Sequence, residues 1–355
     1  MLLASVNHSL IGRVLEQDLY TDAGVLLLTK TTVLTENHIR MLRMQHIRNV
    51  YVSDHGWSEG DGEVISSQLL EMEIDHESVS SYLEAMEDTR RLFEAVQLDN
   101  MPKLEAFTEA FQKVAACTEK RMSLFRSLYV LEGADSYTYR HSINVGILSA
   151  LIARLLKWDE EMVQVMGAAG FLHDIGKMKI PKEILLKPDQ LTKQEFEEMK
   201  KHTIYGYELI NGMEGKCETL ALCALLHHER LDGSGYPEGR TREQIPIACQ
   251  VLAVADIFDA ICSDRVYKTR TSPFEAAQQL WKLACDGLIN IEIVQVFVHY
   301  IAQLYVGSRA RLSDGDDVEI ILIHQDEPMR PLVRRREEFI DLRYHRQLLI
   351  EKLIV

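Results

Sequence analysis

The chain has 355 residues, 46% of them hydrophobic, which is enough for two or three globular domains with sizeable cores. Its formal net charge of −15 argues against duplex nucleic acid as a partner, because neutralising backbone phosphates requires a basic surface. The six cysteines include no Cys-x-x-Cys pair, so neither a disulfide framework nor a thiolate zinc site is expected.

The hydropathy pattern gives no indication of a membrane protein. No uninterrupted apolar run reaches the about 18 residues of a transmembrane helix, and the first residues lack a basic leader before a long apolar stretch. We therefore expect a soluble, cytoplasmic protein without membrane insertion.

Residues 1–55 are predicted to form a small α+β module. Arg13–Leu15, Gly24–Leu28 and Val50–Val52 have the composition of strands. Thr35–Gln45 is predicted to be a helix that begins at an N-cap threonine. This region contains no catalytic constellation, so we expect a docking or dimerisation role, with ligand sensing as the alternative.

Residues 56–133 are predicted to be a helical linker or stalk. A polar, glycine-containing stretch over 55–62 marks the boundary. Apolar residues then recur at helical spacing from Ile65 to Glu132, with a break at Asn100–Pro102. Two long helices with alternating charges indicate either a packed hairpin or a homodimer contact through residues 65–132.

Histidines and aspartates beside apolar helical patterns are the main chemical feature of the chain. His173 and Asp174 follow an apolar helix directly; the other members of the set are His141, His202, His227, His228 and Asp256. Successive clusters are separated by about one helix and its connection, which is how helical bundles build metal sites from facing helices. Imidazole and carboxylate suit iron, manganese, zinc or nickel, and one carboxylate can bridge two ions.

The residues around these positions resemble the HD-GYP phosphodiesterases, a branch of the HD metal-dependent phosphohydrolases. The resemblance rests on His173–Lys177, on His227–Pro237, which reads His-His-Glu-Arg-Leu-Asp-Gly-Ser-Gly-Tyr-Pro, and on Ala255–Ala260 followed by Asp264–Lys268. It implies a mainly α fold, in which residues 134–306 form a helical-bundle HD-GYP metallophosphodiesterase domain. The module over 1–55 is similar to one often placed before such domains.

The resemblance also implies a binuclear metal centre. One ion is expected on His141, His173, Asp174 and Asp256, and the other on His202, His227 and His228, with Asp174 as the bridge. Iron is the first expectation, with manganese, nickel and zinc as alternatives. Tyr137 stands where some members carry a carboxylate that supports a third metal, so two ions are expected here.

The implied substrate is a cyclic dinucleotide, most often cyclic di-GMP, hydrolysed to linear pGpG, with further hydrolysis to GMP left open. Asp174 and Lys177 are the expected catalytic residues. Lys177, Tyr236, Arg265 and Lys268 are the expected substrate contacts, since Arg and Lys bind phosphate and Tyr236 offers a ring and a hydroxyl. A helix-end lysine and a turn tyrosine without ligand roles remain alternatives at Lys177 and Tyr236.

Two other functions stay open. The chain could be a catalytically weak signalling scaffold or cyclic dinucleotide sensor, which docks a diguanylate cyclase or another signalling protein through its Gly-Tyr-Pro loop. It could also be a phosphodiesterase that prefers cyclic GMP-AMP. The presence of all seven metal-ligand residues together with Lys177 favours an active enzyme.

Residues 307–355 are similar to the small β extension that follows many HD-GYP domains. Strands are predicted over Val318–Ile323, Arg330–Val333 and Ile340–Leu342, and Ala310–Leu312 precedes a turn. A short helix is predicted at the very end of the chain.

Overall fold

The computed structural model describes residues 76–119, 137–185, 187, 189–262 and 273–354, and in the first part of the chain residues 2–6, 10, 15, 17–20, 26–28, 32, 34, 36–45 and 47–52. The chain divides into two compact units, Met1–Arg90 with Gln112–Arg140 and Arg91–Phe111 with His141–Val355. Within these described ranges, no helix combines the length and apolarity needed to cross a bilayer.

The first unit begins with the predicted small α+β arrangement. β1 (Leu2–Ser5) pairs antiparallel with β4 (Asn49–Val52), and β2 (Leu19–Tyr20) pairs antiparallel with β3 (Leu26–Leu28). α1 (Glu36–Met44) contributes apolar side chains to the core that these strands share. The prediction over Arg13–Leu15 lies outside the described residues except for Leu15, which forms an isolated bridge with Val52.

Two long helices follow, in agreement with the helical pattern predicted from Ile65 to Glu132, of which 65–75 and 120–132 lie outside the described residues. α2 (His76–Gln97) and α3 (Leu104–Glu119) are separated by a turn at the predicted break. In the second unit, Phe93 of α2 makes edge-to-face contacts with Phe107 of α3 and with Phe171, at centroid distances of 6.0 and 5.8 Å. This aromatic cluster packs the part of α2 that belongs to the second unit against the segment that leads into His173.

The second unit is mainly helical. Its helices are α4 (Tyr137–Leu155, from His141 onward in this unit), α5 (Glu160–Leu172), α6 (Lys182–Leu185), α7 (Lys193–Lys200), α8 (His202–Gly212), α9 (Glu218–Leu226), α10 (Ile247–Cys262), α11 (Pro273–Cys285) and α12 (Ile291–Gln303). A 3-10 turn over Ile175–Lys179 follows α5. α10 is buried along nearly its whole length, as expected for a helix that is apolar all round.

The C-terminal part of the chain is a five-stranded antiparallel sheet in the order β8-β7-β6-β5-β9. Its strands are β5 (Arg309–Leu312), β6 (Asp317–Leu322), β7 (Leu332–Arg335), β8 (Glu338–Asp341) and β9 (Ile350–Ile354). Residues such as Ala310, Val318 and Val333 face the core, while Arg311 and Asp317 form an ion pair on the other face. This alternation is the period-2 pattern of a sheet with one buried face.

The predicted short helix at the end of the chain is wrong. Ile350–Ile354 is strand β9, which pairs antiparallel with β5. Ile350 is buried in the sheet's core and Leu353 packs against it. A five-residue apolar segment can adopt either structure, and here the pairing with a strand about 40 positions earlier in the sequence decides it.

The Phe111 ring fits against Gly146 of α4 and Gly167 of α5, which together form a glycine slot. This slot gives the first testable prediction. A methyl group added at Gly167 would lie 2.4 Å from the Phe111 ring, so Gly167→Ala forces the ring or a helix to move. We expect a loss of about 1–3 kcal/mol in the free energy of unfolding, measured by urea denaturation.

Gly212→Ala is the matched control, because nothing lies within 4 Å of the added methyl at this helical glycine. It should be neutral or stabilise the protein by up to about 1 kcal/mol. Equal destabilisation by the two changes would contradict the proposed role of the slot.

Candidate metal centre

The seven histidines and aspartates singled out in the sequence come together inside the second unit. His141 projects from α4, His173 and Asp174 follow the end of α5, and Asp256 lies on α10. His202 opens α8, and His227 and His228 follow the end of α9. All are buried except His228, which is partly exposed.

The side chains form two groups, each able to hold a cation: His141, His173 and Asp256 in one, and Asp174, His202, His227 and His228 in the other. In the first group, His141 Nε2 lies 3.1 Å from Asp256 Oδ1, and His173 Nε2 lies 3.8 Å from the same oxygen. In the second, His202 Nε2 and His227 Nε2 are 3.3 Å apart.

Asp174 connects the two groups. Its Oδ2 lies 3.3 Å from His173 Nε2 and 3.6 Å from His141 Nε2. Its Oδ1 lies 3.3 Å from His202 Nε2 and 3.8 Å from His227 Nε2. One carboxylate oxygen therefore faces each group, which is the arrangement that a bridging ligand of two ions requires.

Helix ends orient three of the imidazoles. The last carbonyls of a helix have no intrahelical donor, so they can accept a hydrogen bond from a side chain. His173 Nδ1 donates to the carbonyl of Gly170 (2.7 Å), His202 Nδ1 to that of Met199 (2.6 Å) and His227 Nδ1 to that of Ala224 (2.9 Å). Each Nδ1 therefore carries the hydrogen, and each Nε2 lone pair points into the site.

These lone pairs fit a bound cation. His202 Nε2 and His227 Nε2 face each other as two acceptors, and among the described residues His173 Nε2 and Asp174 Oδ1 are buried without a hydrogen-bond partner. Buried acceptors without donors are costly unless a cation satisfies them. The donor set is mixed imidazole and carboxylate without thiolate, which suits divalent transition metals.

The pKa values indicate that most of these groups are in the ligand form at neutral pH. Burial lowers the pKa of His202 to about 4 and of His228 to about 3, so both are neutral. Burial alone would raise the pKa of Asp174, but His173 and Lys177 hold it well below its usual range. His141 differs: burial opposes its charge, yet Asp256 and Asp259 raise its pKa to about 10.

Known proteins that resemble this chain include cyclic di-GMP phosphodiesterases, as the following matches show. Residues 124–289 match the HD domain family. The chain is 35% identical over 208 residues to a cyclic di-GMP phosphodiesterase of Pseudomonas aeruginosa and 42% identical over 186 residues to one of Thermotoga maritima. These matches cover 59% and 51% of this chain and 50% of each relative, so the chain spans about half the length of the curated relatives it matches.

Two further matches add detail. A 3'3'-cGAMP-specific phosphodiesterase of Vibrio cholerae is 37% identical over 186 residues, which is 52% of this chain and 35% of that protein. The fold matches that of Bd1817, described as a HDG"Y"P protein, from Bdellovibrio bacteriovorus, with a TM-score of 0.55 over 84% of this chain and 99% of that one at 17% identity. The sequence-based resemblance and the mainly helical fold class are thus confirmed.

Two of the four expected substrate contacts, Lys177 and Tyr236, lie in the described part of the chain. Lys177 Nζ donates to Asp174 Oδ2, and the Tyr236 ring lies 4.7 Å from the His228 ring, centroid to centroid. Arg265 and Lys268 lie outside the described residues, as does the side chain of Tyr137. Lys177 and Tyr236 therefore border the metal centre on its Asp174 and His228 sides.

Two glycines allow backbone to approach the metal centre closely. A Cβ at Gly176 would lie 1.9 Å from the His202 carbonyl oxygen, and one at Gly235 would lie 2.4 Å from Glu229 Cα. The first contact joins the His173–Asp174 turn to α8, and the second folds the Gly-Tyr-Pro loop back onto the residues after His228. Any side chain at either position would force these segments apart.

Two buried carboxylates that the sequence analysis did not single out support the centre. Asp259 accepts from His141 Nδ1 at 2.7 Å and from Asn144 Nδ2 at 2.9 Å. Glu229 accepts the backbone N–H groups of Glu238 and Arg240, and so fixes the end of the Gly-Tyr-Pro loop. The sequence could have pointed to both residues, because each is an acid inside one of the motifs named above. Asp259 lies three residues after Asp256, and Glu229 lies one residue after His228.

The contact between Asp259 and His141 gives the second prediction. Carboxylates that orient a ligating histidine commonly change metal affinity by about 10- to 100-fold when replaced. We expect Asp259→Asn to weaken Mn²⁺ binding by that factor, as measured by calorimetric titration of metal-free protein. Asp286→Asn, an exposed acid after α11, is the control; an unchanged affinity in Asp259→Asn would exclude this supporting role.

Proposed function

We propose that this chain is a binuclear metal-dependent phosphodiesterase that hydrolyses cyclic di-GMP to linear pGpG. The observation that carries the proposal is the position of Asp174, whose two oxygens face two separate histidine groups. The homologous cyclic di-GMP phosphodiesterases support the choice of substrate. Cyclic GMP-AMP is the second candidate, favoured by the similarity to the Vibrio cholerae enzyme.

We infer that His141, His173, Asp174 and Asp256 would hold one ion, and that His202, His227, His228 and Asp174 would hold the other. Iron is proposed first for this mixed imidazole and carboxylate set, with manganese, nickel and zinc as alternatives. When bound, two divalent ions supply Lewis acidity at the phosphate and an activated water.

The protein's own residues would position and neutralise the substrate. Lys177 brings a positive charge to the side of Asp174 where a phosphate would bind, and its mobile ammonium suits a point contact to a phosphoryl oxygen. Tyr236 presents an aromatic ring beside His228. Arg265 and Lys268 are proposed as further phosphate contacts on the resemblance of their motif.

The surrounding architecture and cellular setting are also proposals. We assign catalysis to residues 134–306, with 1–55 as an accessory module, 56–133 as a linker or stalk and 307–355 as an extension. We also propose a homodimer contact through residues 65–132. A signalling partner, such as a diguanylate cyclase, is proposed to bind at the Gly-Tyr-Pro loop. The described cysteines are free thiols, which supports a reducing compartment such as the cytoplasm.

Hydrolysis by the metal-reconstituted chain is the direct test of the proposed function. Cyclic di-GMP, cyclic GMP-AMP and cyclic di-AMP are incubated separately with the protein, and the products are resolved by chromatography. We expect linear pGpG from cyclic di-GMP as the preferred reaction. Binding of cyclic di-GMP without any hydrolysis, in protein that holds its metal, would instead indicate a sensor or scaffold.

Removing the Lys177 ammonium tests the proposed phosphate contact. Lys177→Ala should lower kcat/KM by a factor of about 10 to 100, the usual effect of losing a charge-assisted hydrogen bond, and leave the metal content unchanged. Arg265→Ala and Lys268→Ala should behave in the same way.

Lys179→Ala is the matched control, since Lys179 lies on the same 3-10 turn but pairs with Asp99 instead of Asp174. It should keep turnover close to that of the unmodified protein. If Lys177→Ala hydrolyses cyclic di-GMP as fast as Lys179→Ala, the lysine does not contact the reacting phosphate.

A further inference from the structure

α7 carries an aromatic side chain that its own helix does not bury. The sequence of this helix is Lys-Gln-Glu-Phe-Glu-Glu-Met-Lys, and none of its residues is buried. Phe196 is 46% exposed, although it is the one aromatic residue in a helix of mostly charged side chains. Packing of the protein core therefore does not explain the position of this ring.

Phe196 continues an aromatic wall that begins at the metal centre. The Tyr236 ring lies 4.7 Å from the His228 ring, centroid to centroid, and is tilted against it by 33°. Phe196 then meets Tyr236 edge to face at 6.3 Å. The wall thus runs from a proposed metal ligand, through Tyr236, to an exposed phenyl ring.

A cation lies against this wall. Lys200 Nζ is 5.1 Å from the centroid of Phe196 and 5.5 Å from that of Tyr236. Glu197 accepts a hydrogen bond from the same ammonium at 2.7 Å, which holds it on this side of the helix. The ammonium therefore lies over both rings, where its N–H donors can reach the edge of a base that stacks beside it.

The helix that carries Phe196 and Lys200 is fixed relative to the metal centre. Thr192 and Glu195 form a capping box at the start of α7, and Lys187 forms an ion pair with Glu195. At its other end, the carbonyl of Met199 accepts from His202 Nδ1. The same turn that orients a proposed ligand therefore positions Phe196 and Lys200.

We propose that Phe196 and Lys200 form a guanine-binding subsite, in which a substrate base stacks on the exposed ring of Phe196 and Lys200 donates to the edge of that base. This inference rests on the proposed hydrolysis of a cyclic dinucleotide, because it places a base one sugar away from a phosphate at the metal centre. Bases stack on exposed aromatic rings without regard to sequence. A lysine adds preference, since guanine presents two adjacent acceptors, O6 and N7, where adenine presents one acceptor and one donor.

Phe196→Ala tests the stacking contact. Loss of one base–aromatic stack should raise the Kd for cyclic di-GMP, measured by calorimetry, and the KM by a factor of roughly 5 to 100, while kcat changes little. Phe339→Ala is the matched control, because Phe339 is 59% exposed on β8 of the C-terminal sheet. It should bind and hydrolyse cyclic di-GMP like the unmodified protein.

Lys200→Met tests the choice of base. It should lower the ratio of kcat/KM for cyclic di-GMP over cyclic di-AMP about fivefold or more, because the contact to O6 and N7 is lost. Lys193→Met, at the exposed start of the same helix, should leave the ratio unchanged. Equal weakening of both nucleotides by Lys200→Met would show that Lys200 contacts phosphate, and would overturn the guanine assignment.

The two proposals can fail separately. If the unmodified chain hydrolyses cyclic di-GMP and Phe196→Ala has the same KM and Kd, the subsite is refuted and the proposed function stands. If the unmodified chain binds without hydrolysing, a raised Kd in Phe196→Ala still supports the subsite while the proposed activity falls. Absence of any cyclic dinucleotide binding by the unmodified chain overturns both.

Discussion

A buried carboxylate placed between two groups of imidazole acceptors is the interaction on which the rest of the site depends. Asp174 directs one oxygen toward His173 and the other toward His202, each at 3.3 Å. Without a cation, this site concentrates buried lone pairs without donors, which is unfavourable. Several helices must lie close together for these acceptors to converge. Gly176 and Gly235 allow the close backbone contacts, and the aromatic contacts of Phe171 stabilise the packing.

The histidines achieve their orientation through the ends of helices. Three of them donate Nδ1–H to a carbonyl three residues earlier, at the position where a helix leaves its carbonyls without partners. The His-Asp and His-His motifs therefore occur where α5 and α9 stop. His141 lies inside α4, where the carbonyls are already bonded, and a carboxylate from α10, Asp259, takes the place of the carbonyl. The same physical requirement is met by two different means.

Much of this could be predicted from the sequence, because the strongest signals were local. The approximate bounds of α1, the break between α2 and α3 and the grouping of seven metal-ligand candidates follow from periodicity and motif spacing. Apart from the convergence of these seven residues, contacts between distant segments could not be predicted. Asp259 accepts a hydrogen bond from a histidine 118 positions away, and β9 is a strand because it pairs with β5. The proposed role of Phe196 depends on its contact with Tyr236, 40 positions later. Single-sequence patterns do not encode which distant segments meet.

Metal content is the measurement that tests the central claim most directly. Crystals of the anaerobically reconstituted chain, measured at the absorption edge of the added metal, should show two anomalous peaks, one on each side of Asp174. Asp174→Asn should lower the occupancy of both, because a bridging carboxylate serves both ions, whereas His202→Ala should empty mainly one. A single ion, or equal effects of the two changes, would contradict the account of Asp174 as the bridge.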